Sequence, residues 1–396
     1  MKKFKNLKLD ESLSASIDNP LKLDLRSSIS NINITNNMNR NTLNLGETEI
    51  SQESIIFKNE KFSVNSKGIK NTSTGEITYT ITPEDIEIEK PIGNGASGNV
   101  YKAILKNKNI PIAVKSINIY DDNKRQQFKN DLRVLSYNKC NFLVHFYGAF
   151  FQEGTVKILL EYMNLGSLEN ILKIIKKKKL PQPCIPEPIL AKIVIQILNG
   201  LLYLYKSVHL IHRDIKPANI LINSQGFVKL TDFGIAKNLE NTSNLSKTYV
   251  GTRNYMSPER IIGNEYSYSS DIWSLGLVIY ELATGIFPYQ NGNDYLMQIK
   301  KIVDDPEPSL NDNGDFSEDL INFVQGCLKK DPNERFTVTE LLCHNWIVNN
   351  YDSEYDICEW LEIKLSKNEK ISCNRRSIVR LRISICTAPR SGNPRV

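Results

Sequence analysis

The run His212-Arg213-Asp214-Ile215-Lys216-Pro217-Ala218-Asn219, followed by Asp232-Phe233-Gly234, constrains this chain more than any other stretch. It brings a carboxylate, a lysine, an amide oxygen and a second carboxylate close together. Phosphoryl transfer needs those groups, because the moving phosphoryl does little covalent chemistry with a protein and catalysis is mostly positioning and charge neutralisation. Asp214 has the chemistry to accept a hydroxyl proton. Lys216 would sit beside the moving phosphate, and Asn219 and Asp232 supply the hard oxygen donors that Mg2+ prefers. A polar loop after a helix is the plainer reading, but two motifs in this order and at this separation leave little room for it.

Upstream lies Ile92-Gly93-Asn94-Gly95-Ala96-Ser97-Gly98-Asn99-Val100. A glycine pattern of this kind alone is a weak signal. Here it falls between two strand patterns instead of opening a helix, which predicts a hairpin turn whose backbone N–H groups close over phosphates. Ile112-Ala113-Val114-Lys115 then reads as a buried strand ending in a lysine. Together with the downstream motifs, these stretches resemble the eukaryotic protein kinases.

That resemblance implies an α+β, bilobal fold: a small β-rich lobe over about 83–162, a large helical lobe over about 163–346, and ATP with Mg2+ between them. It implies nucleotide binding by Ile92, Gly93, Asn94, Gly95, Ala96, Ser97, Gly98, Val100, Ala113, Lys115, Glu161, Met163 and Leu221, with Leu160 as gatekeeper. Asp214, Lys216 and Lys115 would be catalytic. In kinases a glutamate on the small-lobe helix pairs with the strand lysine. The matching position here is Asp131, and the stretch Asn123 to Ser136 contains no glutamate. Aspartate is one methylene shorter, so the helix must approach about an ångström closer to form the pair. The same resemblance makes Asp271 a brace for the catalytic loop and pairs Glu259 with Arg335.

Lys216 follows the serine/threonine pattern. Tyr255-Met256-Ser257-Pro258-Glu259-Arg260, Phe146 to Phe150 and Met163 to Leu168 are similar to the MAP kinase kinases. This narrower resemblance implies a dual-specificity enzyme that phosphorylates Thr and Tyr of a MAP kinase and is itself activated by an upstream MAP kinase kinase kinase. The family's second activating hydroxyl matches Thr248. The first matches Thr242 if five residues separate the pair; three would place it at Asn244, which cannot be phosphorylated, and Ser243 and Ser246 are substitutes. A serine/threonine kinase of a neighbouring group is the alternative, and a catalytically weak kinase-like scaffold a further one.

The flanks are read by composition. Residues 1–60 are rich in Asn, Ser, Leu and Lys and are expected to be disordered, with a hairpin-like lead-in from Phe62 to Tyr79. Within the tail, Lys2, Lys3, Lys5, Leu7 and Leu9 resemble a MAP kinase docking motif, in which lysines meet an acidic patch and alternate leucines enter small pockets. Residues 351–365 resemble a docking segment for upstream kinases. Residues 366–396 form a basic tail, where the alternation of Val379 to Ile385 suits either an added edge strand or a disordered tail. Net charge is +6, too mild to argue for nucleic acid, and seven cysteines without a CxxC pair suit a reducing cytoplasm or nucleus. The most apolar stretch, Ile189 to Tyr205, carries Lys192, Gln196 and Asn199 and is not expected to span a membrane.

Overall fold

The computed structural model describes residues 43–365, apart from 46, 59, 61, 96–97, 123, 126–127, 130, 133–139, 178–183, 234–253, 290–294 and 313–314. Six short antiparallel strands come first: β1 (Leu43–Leu45), β2 (Thr48–Ile50), β3 (Ser54–Phe57), β4 (Phe62–Asn65), β5 (Gly68–Asn71) and β6 (Ile77–Thr80), paired strictly in chain order. The expectation of disorder through residue 60 is therefore corrected from Leu43 onward; residues 1–42 lie outside the described set. The expected lead-in from Phe62 to Tyr79 is the second half of the same meander. Composition hid it because its apolar residues are few and its turns polar. Ile50, Ile55, Phe57, Val64 and Ile69 are buried, while Ile56 between two of them faces out. The turns close on side chains that imitate backbone acceptors: Ser51 Oγ accepts from Ser54 N at 2.9 Å, and Asn71 Oδ1 accepts from Ser73 N at 2.9 Å.

The small lobe begins at a turn, Pro83–Asp85, where Thr82 N donates to Asp85 Oδ2 at 2.8 Å. A five-stranded antiparallel sheet follows: β7 (Ile86–Gly95), β8 (Gly98–Leu105), β9 (Ile110–Asn118), β10 (Phe146–Gln152) and β11 (Thr155–Glu161), ordered β10-β11-β9-β8-β7. Between β9 and β10 the described residues of 122–132 are helical, with Phe128, Asp131 and Leu132 buried.

The large lobe is helical: α1 (Leu168–Lys177), α2 (Glu187–Tyr203), α3 (Pro258–Ile261), α4 (Ser269–Thr284), α5 (Tyr295–Asp304), α6 (Glu318–Cys327), α7 (Val338–Leu342), α8 (Asn345–Tyr351) and α9 (Ile357–Leu365). A hairpin of β12 (Ile220–Ile222) and β13 (Val228–Leu230) lies between α2 and α3. The run Glu187–Val208 is long and apolar enough to cross a bilayer, but most of it is buried inside this lobe. Apolar residues all round the helix thus meet protein on every side. Helix α4 is buried along nearly its whole length and ends at Gly285, whose φ of 74° closes the last turn.

One support expected from the sequence, the Glu259–Arg335 pair, stands in this lobe. Arg335 donates from Nη1 and Nη2 to the two Glu259 carboxylate oxygens at 2.9 and 2.7 Å, with Ser270 Oγ donating to the same carboxylate at 2.7 Å. Burial pushes the Glu259 carboxyl up, but the bonds from Arg335 outweigh it and hold the group below its ordinary range. Helix α9 packs Ile357, Trp360 and Leu361 into the large lobe, and Lys192 Nζ ties the preceding turn down through Ser353 O at 2.7 Å and Tyr355 O at 2.6 Å. Of the segment expected to dock upstream kinases, Tyr355, Asp356, Glu359 and Ile363 therefore face outward.

Arg335→Met is expected to destabilise the large lobe by about 3–5 kcal/mol, because it strands a buried carboxylate, and thermal unfolding measures the loss. Since the Glu259 carboxyl is depressed in the fold, the parent's share of that stability is present above the unfolded pKa of about 4.3. It should vanish as pH falls through the folded value, and Glu259→Gln should flatten that part of the acid limb.

Candidate active site

The π-helical turn Leu204–Val208 extends α2, and His209, at φ 55°, ends it and starts the catalytic loop. Arg213 and Asp232 also adopt left-handed backbone, at φ 69° and 59°. Such conformations are unfavourable for residues with a Cβ and persist where surroundings enforce them. For Arg213 the enforcement is visible. The fully buried Asp271 carboxylate on α4 accepts the backbone N–H of His212 and of Arg213, both at 2.7 Å, and the Tyr205 hydroxyl at 3.1 Å. His212 is fully buried, with Nε2 3.1 Å from Thr231 O and its ring edge-on to Phe233.

Within this frame Asp214, Lys216 and Asn219 converge. Lys216 Nζ lies 2.8 Å from Asp214 Oδ2. Asn219 Nδ2 donates to Asp214 O at 2.9 Å and to Asp214 Oδ2 at 2.7 Å. Only the amide nitrogen can donate to a carbonyl, so the Asn219 oxygen is the end left for a hard cation. Burial raises the Asp214 pKa, with Lys216 and the Asn219 bond pulling it partway back.

The small lobe contributes Lys115. Its ammonium bonds to Asp232 and lies 3.8 Å from Asp131 Oδ2; both the lysine and Asp131 are almost fully buried. Asp131 Oδ1 is buried without a hydrogen-bond partner among the described residues. Burial pushes the Asp131 carboxyl up to about 7 against the pull of Lys115. In Asp232 the charge and bond of Lys115 outweigh burial, and its carboxyl stays below the ordinary range. The helix has thus come close enough for the shorter acid to reach the lysine, though only at the limit of an ion pair.

Strand register sets the rest. Val100 sits opposite Lys115, and Leu160 opposite Ala113. Residues directly opposite share a face, as do alternate residues of one strand, so Val100, Ala113, Lys115 and Leu160 line the same side of the sheet. Gly95 pairs with Gly98 at the end of the β7–β8 hairpin, and a Cβ on Gly98, whose φ is 126°, would lie 2.3 Å from Ser116 O. Ile92 at the start of this loop is 42% exposed, so its side chain stands clear of the lobe's core. Beyond the sheet, Met163 O accepts from Gly166 N, and Ser167 bridges to Leu221.

Some partners were not legible locally. Glu161, expected to serve through its backbone carbonyl, also fixes the hinge with its side chain, which accepts from Lys229 Nζ at 2.7 Å and from His145 N at 3.1 Å. Arg213 and Arg260 both lie over the Tyr266 ring, with Cζ 5.0 and 5.5 Å from its centre. Arg260 Nη1 also donates to Arg213 O at 2.8 Å. None of these pairings leaves a spacing signal, because each joins distant segments. Ala96, Ser97, Gly234, Thr242, Thr248 and the N-terminal Lys2, Lys3, Lys5, Leu7 and Leu9 lie outside the described residues, as does the basic tail after Leu365.

A two-lobed fold with a glycine hairpin, a strand lysine and a braced Asp-x-Lys-x-x-Asn loop defines a protein kinase, and the protein kinase domain family matches residues 86–347. Mitogen-activated protein kinase kinase 3 of Arabidopsis thaliana is 42% identical over 300 residues, which are 75% of this chain and 56% of that protein. Mitogen-activated protein kinase kinase 2 of the same plant is 40% identical over 321 residues, covering 77% of this chain and 86% of the relative. A dual specificity mitogen-activated protein kinase kinase of Drosophila melanogaster is 37% identical over 309 residues, 71% and 75% of the two chains. The chain belongs to the MAP kinase kinase family of protein kinases, a family that uses ATP and Mg2+.

Asp131→Glu adds the missing methylene and is expected to leave ATP KM unchanged or lower it. Asp131→Ala is expected to raise ATP KM, read from initial rates across an ATP titration; an unchanged KM and kcat would show that Lys115 is positioned by Asp232 alone.

Proposed function

We propose that this chain transfers the γ-phosphoryl of ATP to the Thr and Tyr of a MAP kinase activation loop, and is switched on when an upstream MAP kinase kinase kinase phosphorylates Thr242 and Thr248. The observation that carries the chemistry is the Asp214–Lys216–Asn219 network, held by two backbone bonds from the loop to Asp271. The oxygen donors of Asn219 and Asp232 fit Mg2+, which is usually held by one or two carboxylates and substrate phosphates. Bound Mg–ATP supplies the phosphoryl group and neutralises its charge. Asp214 takes the proton from the substrate hydroxyl, and its raised pKa suits that task. Lys216 offsets charge beside the moving phosphate. Lys115, with its pKa raised by Asp232 and Asp131 despite burial, remains cationic for the α- and β-phosphates. The glycine hairpin, Val100, Ala113 and Leu221 enclose the base, and the Glu161 carbonyl and Met163 N–H receive its edge.

For the switch, Arg213 and Arg260 stack on one tyrosine, and the Nε of each is buried without a hydrogen-bond partner among the described residues. A phosphate adds about −1.5 to −2 charges and three acceptor oxygens, which suits paired guanidinium groups. Lys2, Lys3, Lys5, Leu7 and Leu9 are proposed to hold the MAP kinase, and the outward face of α9 the upstream kinase. We assign the enzyme to the cytosol and nucleus, where its seven cysteines stay reduced.

The deciding experiment is phosphorylation of a recombinant MAP kinase against a generic basic protein, with phosphosites mapped on both Thr and Tyr. Thr or Ser labelling alone would favour a kinase of a neighbouring group. Asp214→Asn is expected to lower kcat by about 10²–10⁴ at an unchanged melting temperature. Thr248→Ala should abolish activation by the upstream kinase and Thr242→Ala reduce it, while Thr242→Asp with Thr248→Asp gives partial constitutive activity. Full activity without phosphate on Thr248 would discard that switch. A peptide of residues Met1 to Glu11 should compete for MAP kinase phosphorylation at roughly micromolar concentration, less well as salt rises.

A further inference from the structure

We propose that the six-stranded meander Leu43–Thr80 is a brace that holds the small-lobe helix inward and thereby keeps Asp131 within reach of Lys115. This rests on the kinase reading of the site and adds to it a set of positioning residues far from the nucleotide.

The meander grips the helix in two ways. Phe57 packs its ring 5.9 Å from that of Phe128, which is fully buried, and Phe62 backs Phe57 at 5.3 Å. Lys129, the next residue on the helix, reaches out to two different turns of the meander: Glu47 at 3.5 Å and Glu60 at 3.4 Å. Each ion pair alone is weak. Together they tie one helical residue to the β1–β2 and β3–β4 turns at once. Phe128 and Asp131 stand three residues apart and are neighbours on the helix surface, so fixing Phe128 fixes the direction in which Asp131 points.

The other side of the meander is anchored to the lobe's sheet. Tyr79 meets the Phe146 ring edge-on at 5.1 Å. Gly148 on β10 has a φ of 148°, and a Cβ there would lie 3.5 Å from Tyr79 Cβ on β6 and 2.9 Å from Cδ1 of Ile81, just past that strand. The absence of a side chain lets the meander's last strand settle onto the sheet. One body therefore touches both the sheet that carries Lys115 and the helix that carries Asp131, and it sets the spacing between them. That spacing has little slack: at 3.8 Å the pair sits at the limit of an ion pair, and a glutamate would tolerate a retreat that an aspartate does not.

A simple stabilising cap and a positioning brace differ in one respect. The brace should matter less when the acid is longer. The test compares the double variant Glu47→Gln with Glu60→Gln, and separately Phe57→Leu, in the parent and in an Asp131→Glu background, using the full chain. Expected in the parent are a rise in ATP KM of roughly three- to tenfold, a melting temperature close to wild type for the double variant, and faster amide exchange in 122–132. In the Asp131→Glu background the KM change should shrink to less than about twofold. Reversing one charge pair, Lys129→Glu with Glu60→Lys, should recover part of the loss seen in Lys129→Glu alone. Equal KM effects in both backgrounds, or unchanged KM and unchanged exchange in the parent, would overturn the brace. A parent chain that turns over no nucleotide would overturn the kinase reading only, and the exchange rates of 122–132 would then decide the brace by themselves.

Discussion

The catalytic half of this molecule depends on one buried carboxylate. Asp271 projects from a helix that is enclosed on nearly every side and takes the backbone N–H groups of His212 and Arg213 on its two oxygens. A carboxylate with no access to water is costly unless donors surround it, and here the Tyr205 hydroxyl supplies a third. That arrangement ties a loop with left-handed backbone at Arg213 to the most rigid element of the large lobe. Asp214, the next residue, inherits its position from those bonds, and Lys216 and Asn219 then close on it.

The small-lobe half is governed by charge in a confined space. Lys115 stands between Asp131 and Asp232 and bonds to the second. Burial penalises all three charges, but the lysine's pKa rises and that of Asp232 falls, because each is stabilised by the other more than it is penalised. Asp131 is the less well served acid, with one oxygen buried and unpartnered among the described residues. Its carboxyl is the one whose pKa burial raises. The substitution of aspartate for glutamate at this place therefore leaves a loose joint in the site, and the position of the helix that carries it becomes a quantity the surrounding fold must set.

Outside the catalytic loop, the fold spends its polar interactions on support. The Glu259–Arg335 pair joins segments far apart in the chain and also takes a bond from Ser270. The Lys192 contacts tie the turn before α9 to α2. These bonds decide which surfaces stay outward: Ile357, Trp360 and Leu361 are consumed internally, so whatever approaches this end of the enzyme meets Tyr355, the acids Asp356 and Glu359, and the exposed Ile363.

Much of the candidate site was legible in the sequence, because short stretches of chain carry its groups in contiguous order. Asp214, Lys216 and Asn219 lie within one turn-sized segment, and the hairpin that holds Gly93 to Gly98 is specified by its own glycines. The supports Asp271 and Glu259–Arg335 were legible only through the resemblance to kinases. The N-terminal meander was missed through Phe57, since strands of three or four residues with a single inward face carry too few apolar positions to stand out from a polar, asparagine-rich background. Sequence alone determined which groups are present, including the aspartate at 131, and that they suit phosphoryl transfer. Only the tertiary structure decided how far Asp131 stands from Lys115, that Lys129 is shared by Glu47 and Glu60, and that two arginines lie on Tyr266. Those distances join segments that fold independently of one another in sequence, and they are fixed by packing across sheets and helices, a property no single stretch of the chain contains.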